Sequence, residues 1–336
     1  MTAKRQPRVL SGFRPTGPMH LGHLVGALEN WIKLQDTHEC FYVIVDWHAL
    51  TSEYADPSRV NQHVMELAID WLAAGLDPEH STIFVQSHVK EHAELHLLLS
   101  MIVPLPWLER VPTYKEQKEQ IANRDLNNFG FLGYPVLQTA DILLYRADLV
   151  PVGEDQLAHL ELSREITRRF NGLYGEVFPE PKALITRLPR LPGTDGRKMS
   201  KSYGNAINLG DPPEVTRKNI MTMMTDPARK RRNDPGNPEV CPVYDFHKAF
   251  SPQETLDLVN LECRRAGIGC VDCKSKLLGH LEPAIAPLQD RRRKLAEDRG
   301  AVVEILRTGA DRARREADET MRLVRSAMKI APEGLV

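Results

Sequence analysis

The sequence predicts an α/β fold: a parallel sheet with helices on both faces, followed by an all-helical C-terminal part. Three observations carry this. Short apolar, β-branched runs alternate with helical patterns up to about residue 200; a glycine-rich turn separates the first run from its helix; and beyond Lys201 the strand signal stops. Val9 and Leu10 lead into Ser11-Gly12-Phe13-Arg14-Pro15-Thr16-Gly17, a short strand entering a turn. Leu21, Leu24, Val25, Leu28 and Ile32 then repeat at helical spacing. Cys40 to Val45 reads as a buried strand stopped by Asp46, and Ser81 to Gln86 reads the same way. Between them a helix runs from about Pro57 to Ala74 and stops at Gly75. Such a sheet places binding loops at the carboxyl ends of its strands. Near the C-terminus Val302, Leu306, Ala310, Ala313, Ala317, Met321, Val324 and Met328 advance by three or four, the core seam of one long helix.

The 336 residues suffice for about two domains and a sizeable core. The least polar stretch, Leu95 to Leu108, is too short and too broken by His96, Pro104 and Pro106 to cross a bilayer. Met1 to Arg8 lacks the apolar run of a signal peptide, so the expected location is cytoplasmic, without membrane contact. A net charge of −1 argues against a globally basic nucleic-acid binder, but residues 1–200 carry 20 basic against 25 acidic side chains and residues 201–336 carry 24 against 20. The C-terminal part is therefore the better candidate for facing phosphates, with Arg229-Lys230-Arg231-Arg232 and Arg291-Arg292-Arg293-Lys294 supplying local density. The alternative for such runs is a solvated helix face.

Two segments carry the chemistry. His20-Leu21-Gly22-His23 opens the first helix, where imidazoles and backbone N–H groups face a ligand at a positive helix terminus, and Gly22 leaves room for a nucleotide to approach. Lys198-Met199-Ser200-Lys201-Ser202 follows Gly193-Thr194-Asp195-Gly196, a loop whose two ammonium groups can close on a leaving pyrophosphate. Together they resemble the two signatures of class I aminoacyl-tRNA synthetases. Asp46-Trp47-His48-Ala49-Leu50-Thr51, Tyr134 to Tyr145 (YPVLQTADILLY), and Gly153-Glu154-Asp155-Gln156 with His159, Glu161, Leu162 and Arg164 narrow the likeness. From residue 9 to about 330 the chain is similar to bacterial tryptophanyl-tRNA synthetases of the branch that carries a 4Fe-4S cluster.

The resemblance implies a Rossmann-like catalytic domain over 1–202 and a helical, anticodon-binding domain with the cysteine cluster over 203–336. It implies ATP-dependent activation of L-tryptophan and transfer to tRNA(Trp), with ATP and Mg2+, in a homodimer whose contact lies in residues 101–130. Neither step needs a protein nucleophile; alignment and charge stabilisation suffice. His20, His23, Lys198 and Lys201 would be catalytic. Gly12, Arg14, Thr16, Gly22, Gly153, Asp155, Leu188, Met199, Ser200 and Ser202 would frame the nucleotide with them. Asp141 would accept the indole N–H, and Tyr134, Gln138 and Asp141 share one helical face at i, i+4 and i+7. His48 and Gln156 would complete the tryptophan site. A buried, merely structural aspartate is the alternative for Asp141. Gln138 stands where the commonest tryptophanyl pattern has methionine; Tyr-x3-Gln-x2-Asp is a tyrosyl-synthetase pattern, so tyrosine is the second candidate substrate. A paralogue that makes the adenylate without charging tRNA, or a redox module, is the remaining alternative.

Cys40 sits in a strand and reads as core. Cys241, Cys263, Cys270 and Cys273, separated by 21, 6 and 2 residues, read as a metal centre rather than disulfides. Zinc sites of four cysteines usually have two CxxC knuckles, and only Cys270-Val271-Asp272-Cys273 is one here. The wide spacing matches the 4Fe-4S pattern of the branch named above with one residue fewer in its first interval; Zn2+ is the alternative.

Overall fold

The computed structural model describes residues 5–111, 128–153, 156–185 and 191–330. Five parallel strands form one sheet: β1 (Arg8–Phe13), β2 (Glu39–Ile44), β3 (Ser81–Val85), β4 (Leu149–Val152) and β5 (Lys182–Ile185), in the order β3-β2-β1-β4-β5. The order turns back at β1, so β1 and β4 diverge to opposite halves and open a crevice beyond their carboxyl ends. Alternation within the strands serves two cores. Val9, Cys40, Tyr42 and Ile44 face one layer, and Leu10, Phe41, Val43 and Phe84 the other. Cys40 is a core residue, as its strand position predicts.

The first helical stretch departs from the expected regular helix. α1 (Leu21–His23) passes into a π-helical turn, Leu24–Leu28, before α2 (Glu29–Leu34). Of the predicted apolar positions Leu21, Leu24, Val25 and Leu28 stay buried nonetheless and Ile32 is partly buried, because a π turn shifts the register by one residue without turning the stripe away from the sheet. α3 (Asp46–Glu53) starts directly after β2, and α4 (Val60–Ala74) ends where Gly75 adopts φ +119°, a left-handed cap open to glycine. α5 (Glu91–Ser100), α6 (Leu105–Glu109), α7 (Phe129–Leu144) and α8 (Leu157–Tyr174) complete the N-terminal half. Beyond residue 201 the described residues form no strand. α9 (Pro213–Thr222), α10 (Pro242–Phe250), α11 (Gln253–Arg264), α12 (Cys270–Glu297) and α13 (Arg299–Ala327) follow. No helix among the described residues is long and apolar enough to cross a membrane.

The apolar seam of α13 is buried as predicted, but its partner is the sheet. Ala310, Ala313, Ala317, Met321 and Val324 share a core with Phe41, Phe84 and Leu99. Gly309 crosses β3 so closely that a Cβ would lie 1.8 Å from the Ile83 carbonyl oxygen, which only glycine permits. Arg312 donates to the Pro78 carbonyl at 2.6 Å, Arg314 to that of His88 at 2.9 Å, and Arg325 pairs with Glu94 at 2.5 Å. Part of the positive charge of the C-terminal part is thus held by the N-terminal half. The basic runs divide: Arg229 and Arg232 donate to the carbonyls of Ile268 and Ala266 within the C-terminal part, whereas Arg291 donates to that of Ala73 on α4.

Candidate active site

A cavity of about 970 Å3 opens at the carboxyl ends of β1, β2 and β4. Of the predicted residues, Gly12, Arg14, His20, Gly22, His23, His48, Tyr134, Gln138, Asp141, Gly153, Gln156, Lys198 and Met199 line it. Thr16, Ser200 and Lys201 do not, although Lys201 lies across the turn, its Nζ 3.3 Å from where a Cβ on Gly17 would stand. Asp155, Leu188 and the preceding Glu154 lie outside the described residues, and Ser202 is placed only by its backbone in the turn Lys201–Tyr203.

At the deep end α7 presents Tyr134, Gln138 and Asp141 on one face. Asp141 is only 3 % exposed. Its Oδ1 accepts from Gln86 Nε2 and His92 Nδ1, both at 2.7 Å, and its Oδ2 from His48 Nε2 at 2.9 Å. Burial would raise its pKa, but the hydrogen bonds and charge of His48 and His92 outweigh burial and hold it well below the carboxylate range. An ionised carboxylate only accepts, so His92 carries a proton on Nδ1; its Nε2 is 2.7 Å from the Tyr145 hydroxyl. These donors occupy three of about four acceptor positions of a carboxylate, which leaves one on Oδ2, beside the cavity. The Tyr134 hydroxyl and His159 Nε2 are 2.7 Å apart on the neighbouring wall. Sequence reasoning missed Gln86 and His92. Both belong to segments without a motif: the packing of α5 on α7 brings His92 to Asp141, and the turn that follows β3 brings Gln86.

At the mouth the His20 and His23 rings stack 3.6 Å apart, and the His20 backbone N–H donates to His23 Nδ1 at 3.3 Å. Burial, then the charge of Lys201, lowers His20 to about 4; burial, then His20 and Lys201, lowers His23 to about 3. Both imidazoles are neutral at pH 7, each with a single N–H to donate. A Cβ on Gly22 would come within 3.0 Å of His20 Nδ1 and 3.6 Å of Met199 Sδ, so this glycine also lets the two signatures close on each other. Gly12 has a packing reason as well, since a Cβ there would meet the Val43 carbonyl oxygen at 2.6 Å.

The lysine-bearing loop is braced by a residue that sequence reasoning missed. Buried Asn205 accepts from the Ser200 N–H at 2.8 Å and donates to Asp195 at 2.7 Å and to the Lys198 carbonyl at 3.2 Å. Lys198 is exposed; Lys201 is half-buried, and burial lowers its ammonium to about 8. Asp245, near the start of α10, also reaches the cavity and brings the helical part to its rim.

The model of the tRNA synthetases of class I for tryptophan and tyrosine matches residues 2–283. The chain belongs to that family. This synthetase is 57% identical to the tryptophan–tRNA ligase of Thermotoga maritima over 96% of its own length and 99% of the relative's. It is 45% identical to that of Aquifex aeolicus over 96% and 100%. The tryptophanyl-tRNA synthetase of Campylobacter jejuni, solved with ADP and tryptophan, superposes with a TM-score of 0.87 at 32% identity, covering 96% of this chain and all of that one.

Away from the cavity, Cys241, Cys263, Cys270 and Cys273 line one small void of about 20 Å3 with Asp226, Arg229 and Ile268. Cys241 caps α10 and Cys270 opens α12, so two of the four sulfurs sit at positive helix ends. Arg229 Nη1 is 3.9 Å from Cys263 Sγ, and a Cβ on Gly236 would lie 2.6 Å from the same sulfur. Burial and then the other three cysteines push the Cys273 thiol up to about 12. Among the described residues no group of three His, Cys, Asp or Glu stands at metal-holding geometry.

Proposed function

We infer that this chain activates L-tryptophan with ATP and transfers it to tRNA(Trp). The observation that carries this is the buried, ionised Asp141, with one open acceptor position at the deep end of a cavity whose mouth holds the two histidines and Lys198. Asp141 accepts the indole N–H, with His48 beside it, while Tyr134, Gln138 and Gln156 hold the ammonium and carboxylate end. The tryptophan carboxylate attacks the α-phosphate of ATP and pyrophosphate leaves; the aminoacyl group then passes to the 3′ end of the tRNA. Neutral His20 and His23 donate N–H to phosphate oxygens, and Gly12, Arg14, Gly22, Gly153 and Met199 border the nucleotide. Lys198 and Lys201 meet the charge on the departing pyrophosphate, with Mg2+ accompanying the phosphates. Amino-acid-dependent pyrophosphate exchange with all twenty amino acids tests the reading: tryptophan alone should support it. Gln138 keeps tyrosine as the competing substrate, and exchange with tyrosine and not tryptophan would reverse the assignment.

We further propose that Cys241, Cys263, Cys270 and Cys273 hold a 4Fe-4S cluster. Four sulfur donors beside two helix N-termini and an arginine suit an anionic thiolate centre. The four thiols enclose a void of about 20 Å3 and do not stand at metal-holding geometry, so either centre requires them to move, a cluster more than a single zinc. The centre would brace the helical part, where residues 203–336 contact tRNA, since adenylate chemistry transfers no electrons. Anaerobically purified protein should be brown and hold about four irons; colourless protein with one zinc would keep the ligands and replace the cluster.

A homodimer is proposed as well. Residues 112–127 of the expected contact lie outside the described residues, but beside them Met101 and Phe129 are 66% and 70% exposed, with Leu97 and Leu105 also exposed. Light scattering should give twice the chain mass, and Met101→Glu should lower it.

A further inference from the structure

One buried carboxylate has no part in the chemistry above. Asp70 on α4 is 0 % exposed. Its Oδ2 accepts the backbone N–H of Met19 at 3.0 Å, immediately before the two histidines, and its Oδ1 accepts from Arg292 Nε at 2.6 Å. Arg292 also pairs with Glu66, which in turn takes Arg299 at 3.2 Å. The flat side of the guanidinium lies against Gly210, where a Cβ would stand 2.6 Å from Arg292 Cζ. Gly210 belongs to the segment that leaves the lysine loop and runs back along the histidine turn: Leu209 N–H donates to the Met19 carbonyl, and Leu21 N–H to that of Ile207, both at 2.9 Å. Gln289, one turn earlier on α12, donates to the Asp211 carbonyl at 2.9 Å. Both signature segments are therefore fastened at one guanidinium. Arg292 stands on the helix that begins with Cys270 and Cys273, 19 residues beyond Cys273, or roughly 28 Å at helical rise.

We propose that Arg292 is a positioning residue for adenylate formation: clamped between Asp70 and the backbone of Gly210, it fixes the His20–His23 turn against the lysine-bearing segment and ties both to the cysteine-bearing helix. Its effect is on geometry at the phosphates, where displacement by an ångström can cost on the order of 100-fold in rate. It touches nothing at the tryptophan end. The inference rests on the reading of the histidine turn as the nucleotide site, and wild-type exchange serves as the separate check: absence of tryptophan-dependent exchange in wild type counts against that reading, not against the clamp.

Pyrophosphate exchange at saturating tryptophan and varied ATP, with equilibrium tryptophan binding measured alongside, tests the clamp in the full chain. Arg292→Met should lower the maximal exchange rate by roughly tenfold or more while tryptophan binds as in wild type. Arg292→Lys, which keeps the charge but lacks the flat fork, should recover only part of the rate. If Arg292→Met does not fold, Gly210→Ala supplies the test without removing a charge, because its methyl displaces the guanidinium; the same split is expected. A folded Arg292→Met or Gly210→Ala with wild-type exchange, or a parallel loss of tryptophan binding, would overturn the proposal and leave Arg292 a general fastener.

Discussion

The two ends of the cavity are built on opposite principles. At the end proposed to hold tryptophan, Asp141 is enclosed by Gln86, His92 and His48, and Tyr145 backs His92, so the protein's own side chains fix its orientation. At the phosphate end Lys198 is exposed and Lys201 rests over Gly17 rather than on the cavity wall. A rigid polar pocket discriminates between ground-state ligands, because an analogue lacking one hydrogen bond leaves a buried group unanswered. Cations that engage only as pyrophosphate departs act on the transition state. Specificity and rate should therefore separate along the cavity.

The largest break in that comparison should come from the lysines. Lys198→Ala and Lys201→Ala should each lower the rate of adenylate formation on the order of 100-fold, with little change in tryptophan affinity. Single-turnover kinetics beside equilibrium binding would show the split; a change in tryptophan affinity alone would move the loop to ground-state binding. Next is Asp141→Ala, which should remove most of the preference for Trp over Phe, about 1 to 3 kcal/mol for an indole N–H left without its acceptor. Competition exchange assays measure the ratio, and an unchanged one would return Asp141 to a structural role.

Acid should also separate the two ends. His20 and His23 have folded pKa values depressed below the ordinary 6.5, so the unfolded chain takes up their protons first. Their contribution is full above pH 6.5 and is lost as pH falls towards about 4 and 3. Asp141, depressed below 3.8, keeps its contribution until pH falls below that value. Thermal unfolding across pH 3 to 7 should lose stability from pH 6.5 downward, and His20→Gln should flatten part of that slope. A wild-type slope in the variant would contradict the assignment. The smallest effect at the cavity is expected from Cys270→Ser: metal content and tRNA charging fall while most tryptophan-dependent exchange persists. Equal losses in both assays would show that the cysteine centre supports the catalytic half directly.

Much of this was legible in the sequence because it depends on local chemistry. Strand alternation reports which faces are buried, Gly75 ends its helix by backbone conformation, and the i, i+4, i+7 spacing brings Tyr134, Gln138 and Asp141 to one face wherever the helix lies. The histidine and lysine signatures are contiguous, so they survive translation into structure intact.

What tertiary structure alone decided are the partners of these residues. His92 meets Asp141 only because α5 packs on α7, and Gln86 only because the turn after β3 passes beside that helix; Asn205 braces the lysine loop only because the chain doubles back; and Asp70 finds Arg292 across 222 positions of sequence. The apolar seam of α13 was readable as buried, but not what would bury it, because a periodic stripe encodes a face and not its neighbour. The basic runs of the C-terminal part likewise gave a charge, while the carbonyls and carboxylates that hold Arg229, Arg232, Arg291 and Arg292 came from distant segments. Sequence patterns fix what each short segment can present; long-range packing fixes what it is presented to.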